Sequence, residues 1–421
     1  MTEKLLQFIW QNKYFNTNHL QGVNGEHLHI KNVGLLNHNQ GPDFLNASVT
    51  IDNIELHGNI ELHVYSSDWE KHQHQYDKNY NNIILHVVWN NDKSNLENVV
   101  ILELKNFVPK ILLEHYNHLM QNQSQVACEP FLPVLNELNW LFWKERLTIE
   151  RLQTKTILIE NELIQNNHNW EETFWHLLAY NFGLKVNADF FKQIAESISI
   201  TILAKNKNNL LSIEALLFGQ ANLLDESFTE NYPIQLKKEY QFLSKKYNLK
   251  RIEGSAFFLR MRPTNFPTIR LAQLAKLITQ SSHLFSVIKE TNSVKEIKQL
   301  FSVHACEYWN THYRFKNDNS KDVVKRIGAS TIDSLIINTF VPILYTYATF
   351  NGEEKYAKKA IEWLQSIKAE ENKITNFWTL KKVTNESAFD SQALLHLTHQ
   401  YCNKKKCLDC VVGNKILMNK I

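Results

Sequence analysis

An α+β fold is predicted, with an N-terminal mixed β-sheet domain followed by a large, mainly α-helical region, and three observations predict it. Up to about Lys110 the apolar residues fall in short runs rich in Val and Ile, which is strand chemistry. Beyond Pro133 they recur every three or four residues over long stretches, the period of an amphipathic helix. The chain has 421 residues, 43% of them hydrophobic, and one core rarely grows past about 250–300 residues, so two or three domains are expected. The division expected is a sheet domain over 1–115 and one or more helical domains over 130–421.

Each element follows from its own stretch of sequence. The opening MTEKLLQFIWQNKYF reads as a short amphipathic helix; it lacks the basic start, apolar core and small-residue cleavage site of an export signal. Strands are expected in HLHIKNVG from His27, ASVTI from Ala47, IELHGNIELHVYS from Ile54, NIILHVVW from Asn82 and NVVILEL from Asn98. Asp52-Asn53 suits a tight hairpin turn, and Gly41-Pro42 a chain reversal or strand start. Helices are expected in LNELNWLFWKERLTIERLQTKTILIENELIQ, EETFWHLLAYNFG, IEALLFGQANLL, IRLAQLAKLI, SVKEIKQLF, EKYAKKAIEWLQSIK and FDSQALLHLTHQYC. Gly183 reads as a helix C-cap, and Ser387 or Asp390 as the start of the last long helix. Neither a fixed-period repeat nor a low-complexity linker is visible, so the boundary between Val108 and Pro133 rests on the change of pattern alone.

Charge and cysteine content narrow the function classes. A net charge of +3 is small for this length and gives no global field that would mark a nucleic-acid or membrane binder, although a local basic patch can still serve one. Charges break the apolar runs well before the roughly 20 residues that a membrane span needs, so no membrane partner is expected. Five cysteines, an odd number without an export signal, argue for reduced thiols or metal ligands in the cytoplasm rather than a secreted disulfide framework. Oligomeric state is not legible.

The stretch GPDFLNASVTIDNIELHGNIELHVYSSDW concentrates acids and histidines among strands. On one strand over IELHGNIELHVY, residues of equal parity share a face, which puts Glu55, His57, Asn59, Glu61, His63 and Tyr65 on one side and Ile54, Leu56, Ile60, Leu62 and Val64 on the other. A bulge at Gly58-Asn59 would break that register. An antiparallel sheet with one solvated face accounts for such a polar wall. The sharper reading starts from Asp43, which precedes Glu61 by 18 positions across the expected hairpin.

This pattern resembles the PD-(D/E)xK nuclease core. That resemblance implies an Asp at one strand end and an acid two residues before a Lys, together holding Mg²⁺ or Mn²⁺ on the scissile phosphate, since hard cations want carboxylate oxygens. Asp43 and Glu61 would be the metal ligands, and His63 stands where the Lys would be. A Lys is a fixed cation at neutral pH and an unpaired His is mostly neutral, so His63 would serve as base or ligand. Downstream, Asp68, His72, His74, Asp77 and His86 follow. His72 and His74 with Asp77 resemble metal-ligand spacing, and a solvated loop is the stronger reading of them. His86 interrupts an apolar strand, either as a hydrogen-bonded core histidine or as part of the same polar face.

Near the C-terminus, YCNKKKCLDC brings Cys402, Cys407 and Cys410 within reach of one metal centre, Zn²⁺ or an Fe–S cluster. Cys128 is the first candidate for a fourth ligand, ahead of His399, His396 and Cys306. The rival reading is three reduced thiols made redox-sensitive by Lys404 to Lys406. A basic stretch places Arg260, Arg262 and Arg270 around a helix start near Pro267 or Thr268, a plausible phosphate site; pairing with Glu214 or Glu253 between helices is the alternative.

The segments GPDF, GNIELHV, SSDW, NIILHVVW, EALLFGQA, LRMRPTNFPTIRLAQLA and YCNKKKCLDCVVGN together resemble the bacterial domain-of-unknown-function family 2851 over essentially the whole chain. That resemblance implies no activity. The residues themselves lead to a metal-dependent hydrolase acting on nucleic acid as the first expectation. A non-catalytic binding or scaffold protein with a structural metal is the alternative, and hydrolysis of a non-nucleic substrate a third reading.

Overall fold

The computed structural model describes residues 1–93, 99–132, 134–280, 283–315 and 321–418. Asn98, where the last expected strand begins, and Pro133, at the end of the expected boundary, lie outside them. The chain divides into two compact units, Met1–Trp140 with Leu397–Ile421, and Leu141–His396. The expected separation into 1–115 and 130–421 takes no account of this return: the C-terminal segment that carries three cysteines groups with the sheet, and the helical region between is an insertion.

The first unit opens with helix α1 (Glu3–Gln11), capped by Thr2, whose hydroxyl accepts the Leu5 N–H. Its apolar face buries Leu5, Leu6, Phe8, Ile9 and Trp10. Among the described residues seven strands follow: β1 (Leu20–Gln21), β2 (His27–Asn32), β3 (Leu35–Leu36), β4 (Phe44–Ile51), β5 (Ile54–Tyr65), β6 (Ile83–Asn90) and β7 (Ile101–Glu103). They form one sheet in the order β1-β2-β4-β5-β6-β7, with β3 beside β4. Asp52 and Asn53 both take positive φ (46° and 72°), as a two-residue hairpin turn that matches strand twist requires, and Asx residues tolerate that conformation best after Gly. The sheet is mixed because β5, β6 and β7 run parallel. A parallel neighbour needs a crossover, and residues 66–82, with the one-turn helix α2 (Asp68–Lys71), supply it between β5 and β6.

Two local features aim the strand ends. Gly41 at φ +109° turns the chain before Pro42 in a conformation that L residues rarely adopt, so that Asp43 arrives immediately before β4. Within the hairpin the pairing slips between Phe44 and Ala47, with Asn46 left-handed at φ 57°. The extra residue of this pairing lies in β4, and the pairing of β5 with β6 shifts register between Asn59 and Ile60, beside the expected Gly58-Asn59 position; bulges re-aim side chains. Helix α3 (Lys110–Gln121) follows the sheet, and the terminal helix Val411–Met418 packs on it, with His115 Nδ1 3.2 Å from the Ile416 carbonyl.

The second unit is helical, as the three-to-four periodicity predicts. The chain enters it along α4 (Glu137–Gln165), followed by α5 (Trp170–Phe182), capped by the Asn169 side chain, and α6 (Leu184–Ser197), with Gly183 at the junction. Trp175 anchors this helix pair, donating to the Ala195 and Ile198 carbonyls. The helix Leu210–Gln220 is buried from Ser212 to Gln220, so its sequence is apolar nearly all round. The last long helix of this unit, Ala388–His396, begins at Ser387: the Ser387 N–H donates to Asp390 Oδ2, and the Asp390 N–H to Ser387 Oγ. Among the described residues no helix is long and apolar enough to cross a membrane.

Candidate metal centre

Asp43 and Glu61 meet where the hairpin opens. The Asp43 N–H donates to Glu61 Oε2 at 3.0 Å, and the Leu62 N–H donates to Asp43 Oδ2 at 3.1 Å. Each carboxylate is thereby held by the backbone of the other's strand. Gln7 on α1 donates to Asp43 Oδ1 at 2.8 Å. Burial, offset in part by these bonds, raises Asp43 to about 6, and burial followed by the nearby Asp43 charge raises Glu61 to about 8. Two acids pushed together in a dry site are a place for a cation.

The second Glu61 oxygen faces imidazoles. Oε1 lies 3.6 Å from His63 Nε2 and 3.4 Å from His74 Nε2. His63 Nε2 is also 3.1 Å from His72 Nδ1, and His63 Nδ1 is 2.9 Å from His86 Nε2. One nitrogen from each of His63, His72 and His74 falls within 4.8 Å of the others. Burial, then the neighbouring imidazoles, lowers His63 to about 2; burial and His74 lower His86 to about 3; His74 is lowered by burial and His72. His63, His74 and His86 are therefore neutral at ordinary pH, the form in which imidazole ligates. The buried Nε2 of His74 makes no hydrogen bond, and neither does Nδ1 of His86. The orphaned His74 nitrogen beside the Glu61 carboxylate fits a divalent ion held by Glu61, His63, His72 and His74, with His86 setting the tautomer of His63 from behind.

The crossover closes this end of the sheet. His74 stacks on Tyr80 at 3.9 Å, and Trp69 packs against both His74 and His86. Glu61 and His63 are consequently only 5% and 1% exposed, so a solvated sheet face, which suffices for the first half of β5, does not describe the second. His72 is exposed and marks the open side. Sequence reasoning passed over Gln7, Tyr80, Trp69 and Glu3, whose charge acts on both Asp43 and Glu61. Nothing in α1 signals contact with a strand beginning over thirty positions later.

Other expected members stand apart. Glu55 and His57 lie at the exposed start of β5, where Glu55 pairs with Lys31 and Ser48. The crossover covers only the far end of the strand. Asp68 accepts the Tyr65 N–H and pairs with Lys71 at the start of α2, and Asp77 caps the turn at Lys78–Tyr80. Arg260 and Arg262 are exposed in the second unit. Arg270 is buried in the first turn of the helix Pro267–Gln280, donating to the neutral side chains of Asn265, Gln273 and Thr331. Its terminal nitrogens are taken by protein groups and its unpartnered Nε is buried, so it is less accessible to a phosphate than Arg260 and Arg262.

All four cysteines expected together do meet: Cys128, Cys402, Cys407 and Cys410 line one pocket in the first unit. Burial pushes Cys128 and Cys410 up to about 12 and raises Cys402 and Cys407 as well. Cys306 lies in the second unit against Tyr232 Oη, and His396 sits 3.5 Å from Glu150.

No curated protein and no solved structure matches the chain. One family model does, over residues 3–373, and by it the chain belongs to the family described as "Protein of unknown function (DUF2851)".

Proposed function

We propose that the chain is a cytoplasmic, metal-dependent hydrolase that cleaves phosphodiesters in nucleic acid. The observation that carries the reading is the mutual clasp of Asp43 and Glu61, one acid at a strand start and the other two residues before His63, with three further histidines around them. This is the arrangement that the resemblance to the PD-(D/E)xK core implies, with imidazole in the place of lysine. Carboxylate oxygens suit Mg²⁺ and Mn²⁺, and added imidazoles move the preference toward a transition ion, so Mn²⁺ is favoured over Mg²⁺.

A divalent ion there supplies charge to the phosphoryl oxygens and makes water a better nucleophile. The protein's own groups do the rest. Gln7 and the Leu62 N–H hold Asp43 in place, His86 holds His63, and Trp69 and Tyr80 keep solvent off the buried side. His72, on the open side, would complete the ligand set of the ion beside His63 and His74. In the reaction the water oxygen bonds to phosphorus, the ester P–O bond breaks and the leaving oxygen gains a proton. Arg260 and Arg262, exposed in the second unit, are separately donors of the kind that bind phosphate.

The test is cleavage of single- and double-stranded DNA and RNA by purified protein with Mg²⁺, Mn²⁺ or Zn²⁺, beside Asp43→Ala and Glu61→Ala. Metal-dependent cleavage that both substitutions abolish is expected. No cleavage with any ion, or cleavage that both variants retain, overturns the reading and leaves a non-catalytic binding protein.

A further inference from the structure

The four cysteines stand outside that reaction, and their chemistry is independent of it. They come from two chain segments: Cys128 lies just after α3, and the other three follow the return of the chain at Leu397. The whole second unit, Leu141–His396, is inserted between them. Noncovalent contacts already hold the returning segment. Lys4 pairs with Asp409 at 2.8 Å, Tyr14 donates to Asn414 at 2.8 Å, and Lys405 donates to the Met120 carbonyl. Closing so long a loop costs entropy, and a shared metal centre would offset it.

The details of the pocket are those of a built site. All five cysteines of the chain are free thiols. The Cys410 sulfur accepts the backbone N–H groups of Val412 and Gly413, donors that favour a thiolate and tune a cluster. Gly413 cannot be larger: a Cβ there would lie 2.2 Å from the Cys407 carbonyl oxygen. Lys406 lines the pocket and Lys405 acts on Cys407, so cations stand beside four sulfurs that together carry negative charge when ligating.

Spacing separates the two metal chemistries. A tetrahedral zinc with bonds of about 2.3 Å draws its sulfurs to about 3.8 Å from one another. Among the described residues no three cysteine sulfurs gather within 4.8 Å, whereas three imidazoles of the first site do. An Fe–S cluster binds its cysteines at separate iron corners and spreads them wider than one ion can. We propose that Cys128, Cys402, Cys407 and Cys410 ligate an iron–sulfur cluster that fastens the C-terminal segment to the sheet unit. Its role is to fasten the segment after α3 to the returning C-terminal segment, which Lys4 and Tyr14 also hold through Asp409 and Asn414.

The full chain, purified without oxygen, should be brown, contain iron and acid-labile sulfide in equal amounts, and lose its visible absorbance on exposure to air or a chelator. Cys128→Ser and Cys407→Ser should each lose most of the iron, and Cys306→Ser, in the second unit, should retain it. Should the first two variants fail to fold, removal of iron from the wild-type chain by chelator serves instead: it should lower the melting temperature and open the region after Leu397 to proteolysis. One zinc per chain without sulfide overturns the cluster. A colourless, metal-free chain of unchanged stability overturns the site altogether. Neither outcome depends on nuclease activity, so this proposal and the hydrolase stand or fall separately.

Discussion

His63 stands two residues beyond Glu61 with its ring between His86 on one side and His72 and His74 on the other. The spacing was legible in the sequence; its burial was not, because parity assigns a face without saying what covers it. Outer partners of metal ligands typically carry about 10–100-fold in affinity, so His86→Phe should weaken Mn²⁺ binding by about that factor in calorimetry while leaving the fold intact. Loss of Glu61 should cost more than loss of His86. His63→Lys restores the cation of the related nuclease core, and the expected outcome is a shift of the preferred ion in the cleavage assay from Mn²⁺ toward Mg²⁺. Glu55 and His57 share the parity of Glu61 but lie at the uncovered end of β5, so Glu55→Gln should leave cleavage unchanged.

At the scale of elements, α4, α5 and α6 are fixed to one another by a buried charge cluster. Glu162 Oε1 lies 2.7 Å from His176 Nδ1 and its Oε2 lies 2.6 Å from Lys192. Burial opposes a charged His176, but the bonds from Glu162 and Glu172 outweigh it and hold the pKa near 9. The bond from His176, against burial and with Lys192, holds Glu162 near 2. The signs give opposite limits. His176, raised from 6.5, contributes stability that is complete below that pH and is lost as pH rises through about 9. Glu162, lowered from 4.5, contributes above that pH and is lost toward about 2. Resistance of the wild type to thermal unfolding should therefore fall between pH 6.5 and 9, and Glu162→Gln should flatten that slope. Removing one partner of a buried pair costs about 3 kcal/mol, so the variant should also melt earlier at pH 6. These helices were legible from periodicity, and the hairpin turn at Asp52-Asn53 from its residues. The cluster was not, because its members are spread over three helices and each alone reads as a solvated charge.

For the whole molecule, the connectivity matters more than any single element. The sheet unit is completed by Leu397–Ile421, after the helical unit has been inserted. A chain ending before Leu397 should thus lose the cysteine site and melt at lower temperature, whereas 1–140 joined to 397–421 by a flexible linker should fold alone, as far-ultraviolet circular dichroism and proteolysis would report. By itself the sequence determined the α+β class, the strands and most helices, because local periodicity and turn chemistry are properties of neighbouring residues. It also determined which cysteines and which acids were worth pairing, because ligand chemistry depends on residue type. Only the tertiary structure decided that Gln7, Asp43 and Glu61 share one site with His63, His72 and His74, and that Cys128 rather than His396 joins the C-terminal triplet. Those decisions depend on strand register, on the crossover that covers one end of β5, and on the return of a distant segment. Contacts between residues far apart in the chain leave no periodic trace in it.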